Sequence, residues 1–133
     1  MDLDRTPQAI AESGSEEIRA LNHRARPSAF KQPADVYSVT ESLATLIDRL
    51  PQALQQLGQT VQMFQVRQAI RMDDGSDPAQ RVAEALAGLA DAQRGLMAVQ
   101  EAMRRANGTL AGMGGYLADD GTDGAEDEVD DRG

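Results

Sequence analysis

From Val36, apolar residues recur at every seventh position as Leu43, Leu50, Leu57 and Phe64. A second row, Ile47, Leu54 and Val61, falls four positions after Leu43, Leu50 and Leu57, while Val39 and Leu46 widen the stripe. Residues three and four apart share one face of an α-helix, whereas a half-buried strand alternates with a period of two. The pattern therefore predicts a long amphipathic helix. Pro33 suits its first turn, and Asp35 just behind it complements the positive end of the helix dipole. Pro51 interrupts the stripe and lacks an N–H, a defect worth about 3 kcal/mol in a helix interior. Because the stripe keeps its phase across residue 51, a kinked but continuous helix is expected.

The stretch RMDDGSDPAQ, residues 71–80, gathers acids, a glycine, a serine and a proline. It predicts that the first long helix ends after Met72, and that Asp77 and Pro78 cap and open a second. There Val82, Leu89, Leu96, Met103 and Leu110 recur at sevens, with Ala85, Ala92, Val99, Ala106 and Met113 three positions further on. Two striped helices joined by a short polar turn hide their stripes by folding back on each other. The expected fold is all-α, an antiparallel hairpin of about 33–72 and 77–113. Gly88, Gly95 and Ala102 also recur at sevens, which fits either close helix packing or simply an Ala- and Gly-rich composition.

Residues 1–14 are polar, broken by Pro7 and Gly14, and expected to be disordered. The following SGSEEIRALNHRARP predicts a short helix, with a serine cap, acids early and bases late. The helical domain is then 15–116, followed by an acidic disordered tail at 117–133.

Composition narrows the picture further. The aromatics are Phe30, Phe64, Tyr37 and Tyr116, with no Trp, so any core is built from aliphatics, Ala and Met. A core of that kind is small, and the broad stripes predict that two hairpins pair into a bundle or that one packs on another protein. The formal charge is −9, of which the tail carries −7. A near-neutral body with an acidic tail argues against nucleic acid as the partner. With no cysteine, disulfides and thiolate chemistry are excluded. The start of the chain lacks the apolar run of a signal peptide, and no stretch approaches a membrane span, so a cytoplasmic protein without membrane contact is expected.

The residues offer little for catalysis. His23 is the only histidine and sits among Arg19, Arg24 and Arg26, which disfavour both a protonated ring and a bound cation. The serines lie at caps and turns, and the chain has one lysine, Lys31, with no glycine-rich phosphate loop before it. An enzyme is not expected, nor is a cofactor, a metal or a small-molecule substrate. In the tail, Asp119, Asp123, Gly124 and Asp130 occupy EF-hand-like places, but Gly121 stands at the third and no helix pattern follows. The basic residues Arg19, Arg24, Arg26 and Lys31, with Phe30 among them, give a weak signal for phosphate contact because they lack a clear helical face, and read rather as a charged linker or as a receiver for the acidic tail.

Tyr116 and Asp120, spaced Tyr-x-x-x-Asp after the second helix, together with the hairpin layout, resemble the small substrates of the actinobacterial type VII (ESX) secretion system. That family's Trp-x-Gly turn is replaced here by DDGSDP. The resemblance implies secretion by a signal-less route, with Tyr116 and Asp120 as part of an export signal. The segment EEIRALNHRARPSAFKQPADVYSVTESLATLIDRLPQALQQL also resembles small actinobacterial helical-hairpin proteins of no established activity. The residues themselves point to a non-enzymatic interaction or adaptor protein that binds another protein or itself. Leu43, Leu50, Leu57, Phe64, Leu89 and Leu96 are expected at the centre of its surface, some of them inside the hairpin.

Overall fold

The structure is a computed structural model and describes residues 1–115. Three α-helices follow in order: α1 (Pro7–Arg24), α2 (Pro33–Val66) and α3 (Pro78–Ala111), with a single 3₁₀ turn at Pro27–Ala29. No strand occurs among the described residues. The chain divides into two compact units, Tyr37–Met113 and a second one that, among the described residues, comprises Met1–Val36 with Gly114 and Gly115.

In the second unit the helix begins earlier than expected. Residues 1–14 are not all irregular: Thr6 caps α1, its Oγ1 accepting the Ala9 N–H at 3.2 Å, and Pro7 fills the first turn. This is the cap-then-proline grammar that also opens α3. Gly14 lies inside α1 and does not end it, because a glycine costs only about 1 kcal/mol relative to Ala and the cap offsets that. His23 and Arg24 occupy the last turn. Asp35 sits two residues into α2 and turns back, accepting the Lys31 and Gln32 backbone N–H groups at 3.0 and 3.3 Å. Those donors precede the helix and would otherwise depend on water.

The hairpin is made by α2 and α3. α2 runs without interruption through Pro51, so the helix is continuous as expected. It ends at Val66, however, six residues before the predicted Met72. The reason is a local one. Gln68 takes a positive φ of 54°, its N–H reaches the Gln65 carbonyl at 3.0 Å, and the Ala69 N–H reaches the Phe64 carbonyl at 2.9 Å. Those two bonds are the Schellman termination, which glycine normally enables. A glutamine at that position gave no sequence signal for a stop.

The turn is correspondingly longer and is tied by its own side chains. Asp74 Oδ1 accepts both the Ser76 hydroxyl at 2.6 Å and the Ser76 N–H at 3.0 Å, and chiefly the hydroxyl holds that carboxyl below its usual pKa. Arg81 reaches back from α3 to Asp74 at 3.6 Å while pairing with Glu84 at 3.0 Å. Gly75 supplies the left-handed backbone, with φ 74°. Asp77 caps α3 as predicted, its Oδ1 accepting the Ala79 N–H at 3.1 Å. α3 closes at Ala111, just short of the expected 113, with Gly112 as its cap.

The register of the hairpin is visible in which positions are covered. On α2 the half-buried positions Thr40, Ala44, Ile47, Pro51, Leu54, Gly58, Val61 and Gln65 step alternately by four and three. On α3, Val82, Leu86, Leu89, Gln93, Leu96, Gln100, Met103, Asn107 and Leu110 do the same. Such stepping is the seam of two helices lying side by side. Two contacts set the level: Gln93 Nε2 donates to the Pro51 carbonyl at 3.0 Å, and a Cβ built on Gly58 would lie 3.5 Å from Leu86 Cδ2 and 3.7 Å from Leu89 Cδ1. Val82, 7% exposed, is the only buried hydrophobic residue among those described.

This seam corrects two readings of the stripes. The row Ile47, Leu54, Val61 does face α3, but the more apolar row of Leu50, Leu57 and Phe64 does not and stays exposed. On α3 the companions of Val82, Leu89 and Leu96 are Leu86, Gln93, Gln100 and Asn107, while Ala85, Ala92, Val99, Ala106 and Met113 are exposed. Close approach favours small residues on the facing helix, and α2 offers Ala44 and Gly58 there. Gly88 and Gly95 take no part in close packing, since a Cβ at either would meet nothing within 4 Å.

Candidate functional site

The seam between α2 and α3 has two flanks, and they differ in chemistry. One flank bears Gln55, Gln59 and Gln62 from α2 with Ala90 from α3, which together with seam residues line a shallow open groove. Successive sevenths continue this flank with Glu41 and Asp48 on α2 and Met97 and Arg104 on α3. It is largely polar.

Gln55, Gln62 and Ala90 each lie four positions after a seam residue (Pro51, Gly58 and Leu86), and they share one flank. The positions immediately before those seam residues therefore share the other flank, because helical geometry places them on the opposite side of the seam. On α2 that row is Leu43, Leu50, Leu57 and Phe64; on α3 it is Ala85, Ala92, Val99 and Ala106. No position of either row is charged or polar. Leu50 is 38% exposed, Leu57 55%, Phe64 43% and Val99 42%, and Leu46 beside them is 37% exposed. Each of these rows spans 21 residues, so the hairpin carries an apolar side about 32 Å long at 1.5 Å of rise per helical residue.

The residues expected at an interaction surface separate accordingly. Leu50, Leu57 and Phe64 lie exposed on the apolar side and Leu43 lies half-buried in the same row. Leu89 and Leu96 are half-buried in the seam, with Leu89 against Gly58. Sequence reasoning missed Val99 and the alanines of α3 as members of the same side. It also missed Gln93, whose amide is the link to Pro51. The seven-residue spacing of Gln93, Gln100 and Asn107 was the signal that would have found them.

His23, Arg24 and Arg26 line a small open cleft with Ser28 and Ala29, and Arg19 pairs with Glu16 at 3.5 Å on the surface. No cluster of three metal-ligating side chains occurs among the described residues, and no helix there is long and apolar enough to cross a membrane. Tyr116 and Asp120, and the EF-hand-like Asp119, Asp123, Gly124 and Asp130, lie outside the described residues, as does the acidic tail. Just before them, Gly115 lies close to Pro33: a Cβ there would meet Pro33 Cδ at 3.1 Å.

Compared with known proteins, the chain matches no family model, no curated protein and no solved structure.

Proposed function

We propose that this chain is a non-enzymatic interaction protein, an adaptor whose helical hairpin binds another protein or a second copy of itself through its apolar side. The observation that carries the reading is the sidedness of the hairpin. The Leu50–Leu57–Phe64 row and the Ala85–Ala92–Val99 row share one flank without a charge, while the other flank carries Glu41, Asp48, Gln55, Gln62 and Arg104 beside Ala90 and Met97. Scattered exposed leucines are ordinary on any surface, but a contiguous apolar strip along two helices marks a contact site. Scarcity of buried side chains points the same way, since a hairpin whose core amounts to Val82 gains little free energy from its own packing.

The test is a pair of variants on opposite flanks. Leu50→Asp with Leu57→Asp places charges on the apolar side, and Gln55→Glu with Gln62→Glu places them on the polar side. In affinity capture from the native host, and in sedimentation of the purified chain, the first pair is expected to abolish association and the second to preserve it. Association that survives both pairs, with helicity intact by circular dichroism, would remove the apolar side from the proposal.

A further inference from the structure

We infer, building on that reading, that the occupant of the apolar side is a second copy of this chain, placed so that each α2 lies along its partner's α3. The argument starts from the unequal size of the two rows. α2 contributes Leu50, Leu57 and Phe64; α3, at the same side and level, contributes mainly alanine, as at Ala85 and Ala92. One ridge is tall and the other is low. A face of this kind is its own complement, which a two-fold interface requires because the same surface serves both partners.

Two symmetric pairings can bring such faces together. If the two-fold axis runs along the helices, the leucine row of each copy lies over the alanine row of the other. If the axis runs across the helices, leucines meet leucines and alanines meet alanines, leaving the first pair jammed and the second apart. Protein interiors pack at near-crystalline density with large residues opposite small ones, so the first pairing is selected. It also makes every neighbouring pair of helices antiparallel, as in an up-down four-helix bundle.

The size of the contact is adequate. A strip about 32 Å long and about 18 Å wide, two helices at 8–10 Å spacing, buries on the order of 600 Å² per copy. The total of about 1,200 Å² clears the roughly 1,000 Å² expected of a specific interface and falls at the lower end of the standard size. The register follows from Gln93 meeting Pro51: Leu50 of one copy falls nearest Ala92 of the other, and Leu57 nearest Ala85.

The absence of cysteine from the chain permits a clean test on the full-length protein. Leu50→Cys and Ala92→Cys variants would be prepared separately, mixed, and treated with a short bismaleimide. A cross-linked dimer is expected from the mixture and not from either variant alone. Leu50 lies at the middle of α2, so the rival pairing brings the two Leu50 positions together, and cross-linking of Leu50→Cys with itself would overturn the arrangement. Sedimentation equilibrium of the unmodified chain is expected to give twice 14.3 kDa at micromolar concentration. Leu57→Asp should raise the dissociation constant roughly tenfold or more. A well-folded monomer at every concentration would overturn the second copy as occupant. The broader reading would then stand if Leu57→Asp still abolished binding to a different chain, and fall if it did not.

Discussion

Gln68 holds a left-handed backbone that costs an L-residue roughly 1–2 kcal/mol and glycine almost nothing. The helix stop it provides is made by backbone bonds, not by its side chain. Gln68→Gly is therefore expected to stabilise the protein by about 1 kcal/mol, partly offset by the added freedom of the unfolded chain. Urea denaturation would measure it, and a drop in the midpoint would show that the glutamine side chain has a role of its own. Gly58 presents the opposite case. It spends helix propensity in the middle of α2, yet a methyl group there would make ordinary contact with Leu86 and Leu89 at 3.5 and 3.7 Å. Gly58→Ala should raise stability by about 1 kcal/mol from propensity alone. A loss would mean that α2 and α3 must approach more closely than this distance when the molecule is assembled.

Along the elements, the seam of α3 alternates apolar residues with Gln93, Gln100 and Asn107. The first is satisfied, because its amide donates to the Pro51 carbonyl. Asn107 is not: its Oδ1 is buried without a hydrogen-bond partner. Removing an unsatisfied buried acceptor relieves a cost of about 1–3 kcal/mol, whereas removing a satisfied donor forfeits a bond worth about 1 kcal/mol. Asn107→Leu is thus expected to stabilise the hairpin by 1–2 kcal/mol on that scale, and Gln93→Leu to leave it unchanged or slightly weaker. Thermal unfolding of both variants decides it. Equal stabilisation by both would mean that the Gln93–Pro51 bond contributes nothing. Polar residues in a helical seam are also a known means of holding one register against others. With Gln93 tied to Pro51 across the seam, a slip of the hairpin would break that bond.

At the scale of the molecule, few side chains are buried and a long apolar side is open. If that side is covered by a second copy, stability depends on mass action, since whatever binds only the folded form raises its melting point. The melting temperature is expected to climb measurably between 1 and 100 μM chain, by roughly RT ln of the concentration ratio expressed as free energy. A concentration-independent transition would show that the hairpin is stable alone. The same experiment on Leu57→Asp should show the lower, concentration-independent value, because the charge opposes burial of the contact.

Periodicity and caps were enough to place the long helices. Sevenfold apolar rows predicted α2 and α3, Pro33 and Asp77–Pro78 marked their starts, and the acid- and glycine-rich stretch between them required a reversal. These are local properties, written in residues three, four and seven apart. Hydrophobicity alone did not reveal which flank of each stripe turns inward. The richest row, Leu50, Leu57 and Phe64, lies outside, and a row containing Pro51 and Gly58 lies inside. That choice depends on how closely two backbones can approach and on what stands opposite, here Leu86, Leu89 and Gln93. The end of α2 escaped for a related reason, since its stop is a pair of backbone hydrogen bonds around a glutamine with positive φ. Local spacing is a property of one helix, whereas inside and outside are properties of a pair, and the pair exists only once the chain has folded.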